Sequence, residues 1–166
     1  MNLPRAQRVI DDPPADAEVV ELDYDARHRR RIAMRTECGR EFLLDLPKTV
    51  ALADGDGLAL SDGTAVRVRA KPERVIDVRA ESPEQLLRIA WHLGNRHLPT
   101  QILGETLRIR YDHVIVQMLA GLGADTRTTE APFHPEGGAY ARHEHPGHEH
   151  PGHEHPGDEH PGHDHE

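Results

Sequence analysis

The chain has 166 residues, 36% of them apolar and 30% charged, with 14 histidines, a single cysteine and a formal net charge of −9. That length suits one ordinary domain or two small ones with a real core; the lone Cys38 allows no intrachain disulfide, and neither a secretory apolar run nor a membrane span of about 18 residues is present, so a soluble cytoplasmic protein is expected. Seven of the net negative charges lie in the last 24 residues, which leaves residues 1–142 with a net charge of −2 and argues against a nucleic-acid surface.

Up to about Ala70 short apolar-alternating runs follow one another: EVVELDYD, RRIAMRT, REFLLDL, GLAL and AVRVRA. Period-two patterning at this spacing predicts a small all-β domain over residues 1–71. DGDG at 54–57 and SDG at 61–63 supply its turns, because glycine accepts the positive φ that tight turns demand. Asp54 and Asp56 suggest a calcium loop only weakly, since the further ligand positions and the closing Glu are missing. The basic run RHRRR at 27–31 lacks flanking aromatics for stacking bases and reads as a solvated hairpin end. Cys38, beside Gly39, reads as a turn residue.

After KPE at 71–73 the pattern changes. RVIDVRA reads as a strand, and SPEQLLRIAWHLGN as a helix with Ser82 as N-cap, Pro83 at its first position, Gln85 completing a capping box and Gly94 ending it. TQIL and TLRIRY, separated by GE, read as a hairpin. Asp112 then caps a second helix, whose Ile115, Met118, Leu119 and Leu122 form one stripe, and TRTTEAP supplies a last edge strand. The order β-α-β-β-α-β predicts a ferredoxin-like domain over residues 72–133, giving an α+β chain.

Residues 134–166 are expected to be a flexible segment that ends in a repeat, HEHPG three times, DEHPG, then HDHE. From His143 onward it has no apolar side chain except four prolines, so burial cannot offset its ordering entropy and it should be disordered. Its nine imidazoles, on His143, His145, His148, His150, His153, His155, His160, His163 and His165, alternate with carboxylates. That is a dense supply of nitrogen and oxygen ligands for nickel, zinc, copper or cobalt. A pH-sensing role is compatible with this and less specific.

A flexible tail gathers ions but does not by itself choose or hand them over, so a site on the folded part is expected too. His97, in GNRHLPTQIL, falls in a loop where rigid neighbours can hold a reachable ligand. His113 directly follows the cap of the second helix, where the helix dipole disfavours imidazolium. His92 reads as a solvated helix residue, His28 as part of the basic turn and His134 as part of an irregular segment.

HLGNRHLPTQI, YDHVIVQML, GLGA and APFHPEGGAYARHEH, in this order and ahead of a His-rich end, resemble the urease accessory nickel chaperones of the UreE family. EFLLDLPKTVALADGDGLALSDGTAVRVRAKPERVIDV looks like the same family's β domain running into its metal-binding domain. The resemblance implies a homodimer in which His97 of each subunit meets its mate at the two-fold axis to share one metal, with His143 and His145 as candidates to complete the shell. It further implies a β domain for partner contacts, and Ni(II) as cargo with Zn(II), Cu(II) or Co(II) as competitors. The implied partners are the urease accessory GTPase and the apo-urease maturation complex, with no nucleic acid and no membrane. His113 matches a position linked to additional metal binding in members that carry another histidine two residues earlier; here Tyr111 stands there, and a structural role is equally open.

A carrier of this kind has no catalytic residue, and the chain contains no phosphate-binding G-x-x-x-x-G-K-[ST] loop, no H-E-x-x-H and no nucleophile elbow. The competing expectation is a metal store or detoxifying buffer, which would use the same tail without a client.

Overall fold

In the computed structural model, which describes residues 3–137, the alternating runs of the first half become one six-stranded sheet. Its strands are β1 (Arg5–Ile10), β2 (Glu18–Leu22), β3 (Arg31–Arg35), β4 (Glu41–Asp45), β5 (Gly57–Leu60) and β6 (Ala65–Ala70), in the order β2-β6-β5-β1-β4-β3. Alternation sends Val66, Val68 and Ala70 of β6 inward, where the valines meet Phe42, Leu44, Leu58 and Leu60 in one apolar core. The strand β1 is absent from the sequence reading. It lies inside the sheet, parallel to β4 and antiparallel to β5, and a register shift between Ala6 and Arg8 breaks the alternation that would have revealed it.

The aspartates of DGDG serve the backbone: Ala70 N–H donates to Asp54 Oδ1 (2.7 Å) and Ala53 N–H to Asp56 Oδ2 (2.7 Å), around Gly55 at φ 93°. The basic run departs from expectation. Ala26–His28 forms a single 3-10 turn, and Arg27 is buried, donating to the carbonyls of Leu52 (3.3 Å) and Phe133. Half-buried His28 sets Nδ1 2.7 Å from the Tyr24 carbonyl, and only Arg29, Arg30 and Arg31 are exposed. A guanidinium carries five donors, and here it donates to carbonyls of two residues, Leu52 and Phe133, that lie outside the strands and so have no ladder partners.

The second half contributes β7 (Glu73–Arg79), α1 (Pro83–Asn95), β8 (Gln101–Leu103), β9 (Thr106–Arg110), α2 (His113–Gly121) and β10 (Asp125–Ala131). The four strands lie in the order β10-β7-β9-β8, every pair antiparallel, with β10 at an edge as expected. Ile89 and Leu93 of α1 and Ile115 and Leu119 of α2 pack on Ile76, Val78, Leu107 and Ile109, a second core distinct from the first. The chain is therefore α+β, a strand-rich N-terminal half followed by a mixed C-terminal one. Among the described residues no helix is long and apolar enough to cross a membrane.

Gln85 does less at its own cap than expected and more elsewhere. Its N–H donates to Ser82 Oγ (3.2 Å), but its side-chain oxygen accepts from Glu81 N–H, not from Ser82, and its Nε2 donates to the carbonyls of Leu122 and Gly123 (3.0 Å each). One side chain thus ties the start of α1 to the end of α2.

Candidate metal centre

Helix α1 does not stop at Gly94. It runs to Asn95 and closes when His97 N–H donates to the Gly94 carbonyl (2.9 Å) and Leu98 N–H to the Leu93 carbonyl (3.2 Å), the paired bonds of a Schellman ending. The residue at the left-handed position of that ending is His97, at φ 56°. Glycine is the usual occupant, because a Cβ there crowds the backbone. Among the described residues His97 alone combines a side chain with positive φ, and its imidazole is exposed.

His113 opens α2 just after Asp112, whose Oδ1 accepts from the N–H groups of Val114 (2.8 Å) and Ile115 (3.2 Å). It too is exposed. A cleft of about 480 Å³ runs between the two loops, lined by Leu98 and Pro99 on the His97 side and by Tyr111 and Asp112 on the His113 side. Two residues before His113, the Tyr111 ring lies under the Arg74 guanidinium, 3.7 Å from centroid to Cζ. Among the described residues no three His, Cys, Asp or Glu side chains gather into a metal-sized group.

The chain passes the same loop again on its way out of the fold. After β10, Phe133 is buried, its ring edge-on to Tyr24 with centroids 5.4 Å apart. His134 N–H then donates to Gln101 Oε1 (3.0 Å) and Glu136 N–H to the Thr100 carbonyl (2.8 Å), three residues beyond His97. Desolvation, then the positive charges of Arg27 and Arg108, hold His134 below the ordinary histidine value, against an opposing pull from Asp54. Sequence reasoning placed Arg27 in a solvated basic run, whereas it is buried, and missed Phe133 altogether. The available signal was an aromatic residue between two prolines, Pro132-Phe133-His134-Pro135, a poor place for an apolar ring unless it is anchored.

The remaining histidines stand apart. His92 is half-buried against the Trp91 ring, with centroids 5.0 Å apart, and Cys38 is exposed in a turn beside Gly39. The tail candidates His143, His145, His148, His150, His153, His155, His160, His163 and His165 lie outside the described residues.

Comparison with known proteins yields one family. The model described as UreE urease accessory protein, N-terminal domain, matches residues 2–71, and that described as UreE urease accessory protein, C-terminal domain, matches residues 73–166. The chain is similar to the urease accessory protein UreE of Rhodopseudomonas palustris (strain BisB18), 57% identical over 138 residues, which is 80% of this chain and 65% of that protein. It is 54% identical over 144 residues to the namesake of Bradyrhizobium sp. (strain ORS 278), covering 85% and 69%. For that of Chelativorans sp. (strain BNC1) the figures are 52% over 130 residues, covering 78% and 82%. The matched part of the chain thus spans 65% of the length of the first relative.

Proposed function

Because the chain belongs to the UreE urease accessory protein family, we propose that it is a non-catalytic nickel carrier that serves urease maturation. Ni(II) is gathered by the histidines of the tail and held by His97 together with His97 of a second copy. It then passes by ligand exchange to the urease accessory GTPase and the apo-urease maturation complex. The observation that carries this reading is the conformation of His97: an exposed imidazole on a strained backbone, where glycine would relieve the strain, is kept for what the side chain does.

Two further features support a shared site. One imidazole makes a weak ligand set, and the single chain brings no three donors together among its described residues. Large apolar side chains are exposed on the two helices, Leu87 (71%) and Trp91 (64%) one turn apart on α1 and Val114 (57%) on α2, as an interface between copies requires. The first tail histidines, His143 and His145, complete the shell, and His113 stands across the cleft as a secondary ligand. The four-strand order β10-β7-β9-β8, with both helices on one face, supports a ferredoxin-like metal-binding and dimerisation domain at 72–133. In the same reading a partner-binding β domain occupies 1–71 and the tail segment 134–166.

The test is nickel titration of purified His97→Ala. Loss of the first, tightest ion with the weaker ones retained is the expected result; a first ion held as tightly as by the unaltered chain would refute the assignment. The competing reading, a store without a client, predicts metal sensitivity of a deletion strain independent of urease activity.

A further inference from the structure

One edge of the six-stranded sheet has no strand beside it. β3 pairs with β4 alone, Arg31 opposite Asp45 and Arg35 opposite Glu41. At the two ends of this pair Leu46 N–H donates to the Arg30 carbonyl (3.0 Å) and Thr36 N–H to the Arg40 carbonyl (2.9 Å), so the even-numbered residues turn their backbone groups to β4. The N–H and C=O groups of Arg31, Ala33 and Arg35 therefore point the other way, to the open side. The opposite edge strand, β2, meets this side just past the end of β3, where Glu37 N–H donates to the Val19 carbonyl (2.8 Å); from Arg35 back to Arg31 no strand pairs with the edge among the described residues. Ile32 shares a face with buried Met34, yet stays 38% exposed where the sheet stops.

The same edge gathers the basic run that the carrier reading leaves unused. Arg29, Arg30 and Arg31 are exposed in succession; the first two have no carboxylate partner among the described residues, and Arg31 (3.7 Å) shares Asp45 with Arg5 (3.1 Å). Acids close by in sequence are engaged elsewhere: Glu41 with Arg35, Glu37 with Arg69 and Asp25 with Arg110. A surplus of positive charge thus stands at the open end of β3, in a chain whose formal net charge is −9.

An open edge pairs with any free strand, and charged side chains are one way to blunt it. Here the charge has one sign, which selects among occupants. It repels a second β3 edge and attracts a strand that carries carboxylates. A membrane or a nucleic acid would supply anions but no strand, and would leave the outward amides and Ile32 unused.

We propose that the free edge of β3, Arg31–Arg35, docks an extended acidic segment of a partner protein by strand addition. The segment's backbone pairs with Arg31, Ala33 and Arg35, an apolar side chain covers Ile32, and its carboxylates meet Arg29, Arg30 and Arg31. The inference rests on the partner-binding role given to residues 1–71, and names the surface and the chemistry of that contact.

The experiment uses the full chain and, as the probe, a short synthetic peptide of alternating glutamate and valine, followed by fluorescence anisotropy and by amide exchange. The expected result is slowed exchange at Ala33 and Arg35 when the peptide is bound, with binding that weakens as salt is added. Arg29→Glu combined with Arg30→Glu should bind about tenfold more weakly, since two exposed charges are reversed. Ala33→Pro keeps every charge and is tolerated at a sheet edge, but lacks one outward N–H; it should also bind more weakly, and so should a peptide N-methylated at alternate amides. Nickel titrations of these variants should match that of the unaltered chain. Unslowed exchange at Ala33 and Arg35, or equal binding of the plain and the N-methylated peptide, overturns strand addition, and the methylated peptide gives this reading even if Ala33→Pro does not fold. Phosphatidylserine vesicles or a single-stranded RNA bound more tightly than the peptide would assign the arginines to another polyanion and overturn it as well. Failure of the peptide leaves the nickel titration of His97→Ala untouched, and a failed His97 assignment leaves the peptide result untouched, so the two readings fall separately.

Discussion

His97 and Gly123 occupy the same position in two copies of one motif. Each is the left-handed residue that closes a helix, at φ 56° and φ 72°. Leu98 N–H bonds back to Leu93, and His97 N–H to Gly94, after α1; Ala124 N–H bonds to Leu119, and Gly123 N–H to Ala120, after α2. Two equivalent endings, one built with the residue that the geometry favours and one with histidine, separate what the backbone needs from what the proposed metal site would need.

His97→Gly should therefore stabilise the protein by about 0.5 to 1 kcal/mol, the strain relieved outweighing the added freedom of the unfolded chain. It should also abolish the tight nickel site. Thermal unfolding and calorimetry of the same sample check both; a destabilised variant would show that the His97 ring packs in a way its exposure does not suggest.

Gly123→Ala is the converse. It should cost about 1 to 2 kcal/mol, because the left-handed backbone now carries a Cβ, and that Cβ would stand 3.0 Å from Gln85 Nε2. Nickel affinity should be unchanged. A lowered melting temperature with an unaltered titration is the expected pair of results.

Asp112→Ala removes the cap that holds two N–H groups at the start of α2 and should cost about 1 kcal/mol. Its effect on metal distinguishes the roles open to His113. If the imidazole is a secondary ligand, fraying of the first turn should weaken a later nickel ion and leave the first untouched. A titration with every ion unchanged would leave His113 a structural residue.

His134 makes acid destabilisation partly local. Its folded value lies below that of an unfolded histidine, so the unfolded chain takes the proton more readily, and the folded form loses stability as pH falls from the unfolded value through the folded one. Above that window its contribution is fully present. His134→Asn should therefore lose less stability than the unaltered chain between pH 8 and pH 5.5, as read from melting temperatures; equal losses would mean that His134 titrates as it does in the unfolded chain.

How much of this was legible follows the physics of each element. The helices declared themselves through Ser82, Asp112 and the apolar stripes, and five of the six N-terminal strands through alternation. β1 did not, because its pairing shifts register at Ala6 and Arg8. Gly94 drew attention as the end of α1, one residue before the helix ends at Asn95, and so hid that His97 holds the position usually taken by glycine. The basic run was misread at Arg27, since composition cannot show that a guanidinium turns inward to meet a carbonyl 106 residues away. His97 and His113 were legible as candidates because loops and helix starts present side chains; the fastening of the segment that follows β10 depends on tertiary contacts that no local pattern encodes.

The most direct test of the account is to titrate nickel calorimetrically into the full chain and into a chain ending at Arg142, each first sized in solution. The account predicts that both are dimers and that the shortened chain loses the weaker ions but keeps one nickel ion per dimer, bound less tightly than in the full chain. Loss of every ion on truncation would contradict it: the tail would then be the binder, His97 an incidental exposed residue, and the protein a store rather than a carrier.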